Sequence, residues 1–283
     1  MSQNTIEIKG LIKSNTNFPK SIWTGMLLVD DTAIAVTDTG GSGIPVIYLN
    51  GQFATQGYWR RVIANLGQEW RHITYDMRAR GKSKRSSDYS FETAIRDVDA
   101  VLKARGVDQA LMVGWSYGAF VAAHWASRNP ARCLGTVLVD GAQPYDWMTE
   151  EMAQGMRKFF KRLNLIMLLL RPTGLTPKMT AIEMAEINIE LGWLARVSEL
   201  GPVMDNVTVP TRYVLASGSS FGSKGDGQER IRTGVNVAVS HNQNLKISAK
   251  VASNHGAILK KDFRSVADAI REVVAVDQGA QRT

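Results

Sequence analysis

The sequence predicts the α/β class: a mostly parallel sheet of about eight strands, flanked by helices and carrying an inserted helical segment. Three observations lead there. Short apolar runs recur that are nearly continuous rather than alternating, as buried parallel strands are. Segments with helical spacing fall between them, which implies right-handed crossovers that cover both sheet faces. One stretch, 145–200, is helical throughout and breaks that rhythm.

Runs around Met26 to Val29 and Ile34 to Val36 flank Asp30-Asp31, which suits an antiparallel hairpin at the sheet edge. Val46 to Leu49, Ile73 to Tyr75, Leu111 to Val113, Thr136 to Val139, Tyr213 to Ala216 and Leu245 to Ser248 read as the remaining strands. Ile95, Val98, Val101 and Leu102 share one helical face, as do Val266, Ala269, Ile270, Val273 and Val274. In the long helical stretch, Met148, Met152, Met156, Phe159, Phe160, Leu163 and Ile166 form an apolar face, and Pro172-Thr173-Gly174 interrupts it. This stretch follows a strand's carboxyl end, where open α/β sheets bind ligands, so it reads as a lid. The expected organisation is a core of 1–144 and 201–283 with a helical cap over 145–200. From Asp277 to Thr283 the chain reads as a frayed tail.

With 283 residues, 44% of them hydrophobic and 21% charged, the chain can bury a full core without disulfide staples. Its lone cysteine, Cys133, lies in an apolar run and reads as a buried, inert thiol in a reducing compartment. Met1 to Glu7 lacks the basic patch and apolar run of a secretory signal, and Leu165 to Leu170 is too short to span a bilayer. The expectation is a cytoplasmic protein, monomer or homodimer, with a small-molecule partner and neither membrane nor nucleic acid. Net charge is +8, concentrated in Arg71, Arg78, Arg80, Lys82, Lys84 and Arg85. No run of aromatics interleaves them and no nucleic-acid motif is recognised, so they read as a solvated basic face that favours anionic small molecules over nucleic acid.

The apolar run Ala110 to Val113 enters Gly114-Trp115-Ser116-Tyr117-Gly118. A serine at a tight strand-to-helix turn has its hydroxyl pushed out of the fold, and the flanking glycines relieve the crowding there. That hydroxyl is a poor nucleophile until a base contacts it. Four histidines are available. His255 lies between the last strand and the last helix, His124 lies on the helix after Ser116 and faces packing, and His72 and His241 read as surface or strand-edge residues. No histidine and carboxylate cluster has metal-ligand spacing, so neither metal nor cofactor is expected.

Four segments in order, Leu49-Asn50-Gly51-Gln52-Phe53, Tyr75-Asp76-Met77-Arg78-Ala79-Arg80-Gly81-Lys82-Ser83, Val113 to Gly118 and Ser253-Asn254-His255-Gly256, resemble the α/β-hydrolase fold family, in its cap-bearing serine hydrolase branch. The resemblance implies Ser116 as nucleophile, His255 as general base, and the backbone amides of Gln52 and Tyr117 as an oxyanion hole. The family often has His-Gly where this chain has Asn50-Gly51. It usually takes its acid from the loop after the strand here ending at Ala216, but Ser217 to Gly222 holds no carboxylate. Two candidates follow. Asp140, at a strand end used by certain haloalkane dehalogenases, is one, although such an aspartate can also simply bind loop amides; Asp226, in a glycine-rich loop, is the alternative. Asp76, Arg78, Gly81 and Ser83 match a family turn and read as structural ties.

Asn50, Phe53, Trp115, Met152, Phe159 and Trp193, with Met156, Phe160 and Met167, would line an apolar substrate pocket, or pack within the lid and beneath the sheet. Haloalkane dehalogenases and epoxide hydrolases of this architecture carry an aspartate at the elbow, so Ser116 points instead to acyl-enzyme chemistry. The implied activity is hydrolysis of a small or medium apolar carboxylic ester or lactone. Alternatives within the fold are a carbon–carbon bond hydrolase, an acyltransferase, a cofactor-free haloperoxidase, or a non-catalytic ligand-binding member.

Overall fold

A computed structural model of the chain describes residues 22–170, 176–218 and 226–280. Strands β1 (Trp23–Val29) and β2 (Thr32–Asp38) form the edge hairpin, followed by β3 (Pro45–Leu49), α1 (Arg60–Leu66), β4 (Arg71–Tyr75) and α2 (Phe91–Ala104). Next come β5 (Ala110–Trp115), α3 (Tyr117–Arg128) and β6 (Cys133–Val139). Helices α4 (Glu150–Leu170), α5 (Ala181–Leu194) and α6 (Val197–Asp205) then intervene before β7 (Thr211–Ala216). The chain closes with α7 (Asp226–His241), β8 (Leu245–Val251), α8 (Ile258–Lys261) and α9 (Phe263–Ala280).

The eight strands lie in the order β1-β2-β4-β3-β5-β6-β7-β8. The first two pairings are antiparallel and every later one is parallel. The unbroken burial of β5 explains its apolar spelling, because helices cover both faces of the sheet. On one face α2 presents Ile95, Val98, Val101 and Leu102, its start fixed by Ser90, whose hydroxyl accepts the Thr93 amide. On the other, Val62 of α1 and Val266, Ile270 and Val273 of α9 pack on Val113 and Val137. No helix among the described residues is long and apolar enough to cross a membrane.

The helices between β6 and β7 carry a small cluster of their own, in which Met148, Ala153 and Ile189 are buried with Met156 and Trp193 against them. A boundary at residue 200 falls inside α6, because Leu200 and Met204 of that helix are buried in the main core. The interruption Pro172-Thr173-Gly174 and the Met1 to Glu7 start lie outside the described residues. Two loop readings are corrected. Helix α9 continues through Ala280, past the expected start of a tail at Asp277, and Asp226 opens α7 rather than sitting in a loop. The latter helix forms because Val235 and Ala238 recur at helical spacing and are buried against the sheet.

The basic face is corrected in part: Lys82, Lys84 and Arg85 are exposed, as expected, whereas Arg71, Arg78 and Arg80 are engaged within the protein. Arg78 is buried, its Nε and Nη2 on Asp97 at 2.9 and 2.7 Å and its Nη2 also on Asp30 at 2.7 Å. Arg71 donates to Asp38 at 2.7 Å, and Arg80 is only 4% exposed. Burial without a partner would cost several kcal/mol per charge, so these cations carry hydrogen bonds rather than water. Asp76 and Ser83 act as ties: the Asp76 carboxylate accepts the Gln56 and Lys82 amides, and Ser83 Oγ accepts the Ala35 amide. Cys133 is buried, which pushes its thiol up to about 12.

Candidate active site

Parallel strands place their carboxyl ends along one edge, and three side chains gather there from the ends of β5, β6 and β8. Ser116, directly after β5, has φ 56°, ψ −118°, a strained backbone held because its amide donates to Val139 O at 3.0 Å. The turn tolerates no side chain at its glycines. A Cβ on Gly114 would stand 2.1 Å from Gly118 O, and one on Gly118 would stand 2.1 Å from Leu49 O.

Asp140, directly after β6, is likewise at positive φ, 46°. Its amide donates to Val214 O at 2.9 Å and its Oδ1 accepts the Ala216 amide at 3.0 Å. Its Oδ2 is thereby turned to His255 Nδ1, 2.7 Å away, and His255 Nε2 lies 2.9 Å from Ser116 Oγ. A carboxylate only accepts, so the proton sits on Nδ1 and Nε2 is left to accept from the serine hydroxyl. The imidazole edge is partly open to solvent, with 38% of the side chain exposed. Asp226 opens a helix elsewhere in the chain, and its side chain lies outside the described residues.

Gln52 follows β3 on the same edge. Among the described residues, neither its amide nor that of Tyr117, first residue of α3, donates to a protein acceptor. The Gln52 carbonyl is held by Arg80 Nε at 2.8 Å, while Arg80 Nη1 donates to Arg78 O at 2.7 Å. No carboxylate pairs with Arg80 among the described residues, and burial lowers its pKa. Sequence reasoning read Arg80 as solvated and missed this role, since its partners are backbone carbonyls that carry no sequence signal.

The expected pocket residues separate into groups. Asn50 is 1% exposed and its amide is consumed, Nδ2 on Tyr75 O at 2.6 Å and Oδ1 on Trp59 Nε1 at 2.8 Å. It is a structural tie, not pocket lining. Phe53, beside Gln52, is half exposed and its ring stands 6.3 Å from Phe160 of α4, which in turn meets Phe159 edge-on at 5.6 Å. Met152 is exposed, the Met167 side chain lies outside the described residues, and Trp193 packs inside the inserted helices under Arg196, 3.9 Å from its ring. Trp115 is 7% exposed, with its ring 5.6 Å from His255 and stacked at 5.5 Å on Tyr58. The sequence gives no pointer to Tyr58, which sits in a turn of mixed composition.

His72, expected at the surface or at a strand edge, lies on the inner strand β4 and is buried between Tyr48 Oη at 2.8 Å and Gly67 O at 2.9 Å. His241 ends α7 and is exposed. His124 is buried edge-on against Phe91 at 4.8 Å, its Nε2 has no hydrogen-bond partner among the described residues, and burial lowers its pKa to about 4. An unfolded chain binds this proton near pH 6.5 while the folded one resists it, so stability falls as pH drops through that window. We expect a loss of about 2 kcal/mol between about pH 7.5 and about pH 5. Thermal melts of the protein and His124→Leu check this: the gap between the two pH values narrows in the variant. Among the described residues, no group of three or more His, Cys, Asp or Glu could hold a metal ion.

Comparison with known proteins gives this arrangement a context. The sequence model of the family described as alpha/beta hydrolase fold matches residues 44–185. A haloalkane dehalogenase of Mesorhizobium japonicum is 28% identical over 159 residues, covering 54% of this chain and 52% of that protein. A 2-succinyl-6-hydroxy-2,4-cyclohexadiene-1-carboxylate synthase of Serratia proteamaculans is 29% identical over 99 residues, covering 35% of this chain and 38% of that protein. The matched region thus spans about half or less of the length of these curated relatives. A thermophilic esterase from Thermogutta terrifontis, solved with malate bound, has a TM-score of 0.68 at 17% identity, covering 88% of this chain and 97% of that one. At that identity the likeness is one of fold.

Proposed function

Since this chain belongs to the alpha/beta hydrolase fold family, we propose that it is a serine hydrolase acting on a small or medium carboxylic ester or lactone with an apolar portion, through an acyl-enzyme. The observation that carries this reading is the continuous hydrogen-bonded line from Asp140 through His255 to Ser116 Oγ. In the first step His255 Nε2 takes the hydroxyl proton as Oγ bonds to the substrate carbonyl carbon. The carbonyl oxygen, now an anion, is received by the Gln52 and Tyr117 amides. His255 then passes its proton to the departing alkoxide oxygen, and Asp140 supports the transient imidazolium. Water enters, gives a proton to Nε2 and attacks the acyl carbon; collapse returns the proton to Oγ and frees the acid.

Helices α4 and α5 act as the cap in this reading, and the Phe53 to Phe160 approach supplies the apolar wall. Halide displacement is not carried over from the dehalogenase relative, on chemical grounds. Serine attack on an alkyl halide would leave an alkyl ether, which a histidine and water cannot open as they open an ester.

The test uses folded protein with 4-nitrophenyl acetate and butyrate, alongside a fluorophosphonate probe. A burst of nitrophenol stoichiometric with protein, and labelling at Ser116, are expected; absence of both overturns the reading. Arg80→Met should lower kcat by roughly tenfold with KM little changed, since it frees the carbonyl that holds the Gln52 amide in place. Steady-state kinetics on the butyrate ester checks that split.

A further inference from the structure

A cavity of about 480 Å³ opens between the segment that runs from the turn after β3 into α1 and the segment that runs from the loop after β8 into α8, and its walls include Tyr58, Arg60, Arg61, Gly256 and Lys260. Among the described residues no acidic side chain lines it. Among the described residues Arg60, Arg61 and Lys260 form no ion pair, whereas Arg71, Arg78, Arg105, Arg128 and Arg157 all do. Arg61 Nη1 donates to Lys260 O at 2.7 Å, which ties the two walls together across the concavity. Two of its walls lead to the proposed site: Gly256 directly follows His255 in the chain, and the Tyr58 ring is stacked on Trp115, whose ring also stands 5.6 Å from that of His255.

We propose that this cavity is a subsite for an anionic substituent of the substrate, a carboxylate carried on the ester that Ser116 cleaves. The inference rests on the hydrolase reading and deepens it. Three unpaired cations around one concavity produce a positive field, and low-dielectric walls focus it at the mouth of the site. Tyr58, 49% exposed, offers a flat apolar face on which the body of such a substrate can lie while its charge meets the cations. The apolar wall at Phe53 and Phe160 then takes the opposite, uncharged end.

Two matched ester pairs test this at low ionic strength: mono-4-nitrophenyl succinate against 4-nitrophenyl butyrate, and 4-acetoxybenzoate against phenyl acetate. The first places the carboxylate on the acyl side, the second on the leaving-group side. Each of Arg60→Gln, Arg61→Gln and Lys260→Gln should lower kcat/KM for the preferred anionic ester by roughly 2- to 5-fold, and the triple variant by roughly tenfold or more, with the neutral partner changed by less than about twofold. Arg60→Lys should retain most of the preference. Equal effects on charged and neutral esters in both pairs overturn the proposal while leaving the hydrolase reading intact. If no ester is turned over, that reading has failed, and saturation-transfer NMR with benzoate decides the subsite alone: a signal lost in the triple variant supports it, and one unchanged or absent throughout overturns it.

Discussion

Ser116→Ala should lower kcat/KM for the nitrophenyl esters by roughly 10⁴- to 10⁶-fold, since the acyl-enzyme needs an oxygen at that position. The variant should fold. Ser116 already sits at φ 56° with a Cβ, so alanine adds no backbone strain, and among the described residues the hydroxyl's one protein partner is His255. His255→Ala should cost about as much, and the double variant little more, because base and nucleophile act as a unit rather than additively. Single-turnover assays with circular dichroism as a folding control measure this. A double variant whose loss equals the product of the two single losses would show that Ser116 and His255 do not act in one step, and would sink the mechanism.

What was readable in the chain follows from how local each cause is. The sheet is legible because β3 and β5 are buried on both faces and therefore spelled almost entirely with apolar residues, and β7 carries the apolar run Tyr213 to Ala216. Ser116 is legible because Gly114 and Gly118 mark a turn in which no Cβ fits. Asp140 stands out through a strand end and an acid-free loop, both visible in sequence. Other residues are decided by partners far along the chain. His72 is buried because Tyr48, on the neighbouring strand, supplies a hydroxyl to its Nδ1. Arg80 is buried because two backbone carbonyls accept from it, and Asn50 is withdrawn from the pocket by Tyr75 and Trp59. The concavity at Arg60, Arg61 and Lys260 joins residues about two hundred positions apart, and only folding brings them together.

Asp140→Asn and Asp226→Asn should differ in kcat by roughly 10⁴-fold, with Asp226→Asn near the rate of the unaltered protein. The reason is the Ala216 amide. It donates to Asp140 Oδ1, and in the asparagine variant it still requires an oxygen there, which turns the new Nδ2 amide toward His255 Nδ1. A donor facing Nδ1 forces the imidazole proton onto Nε2, the atom 2.9 Å from Ser116 Oγ. An Nε2 that carries a proton cannot take one from serine, so the geometry survives and the base is lost. Because the backbone ties of Asp140, its amide to Val214 O and the oxygen to Ala216, are kept, the loss should appear in kcat without a comparable fall in melting temperature. An Asp140→Asn protein working at full rate would mean that another group holds His255, and an Asp226→Asn protein with a large loss would name which one.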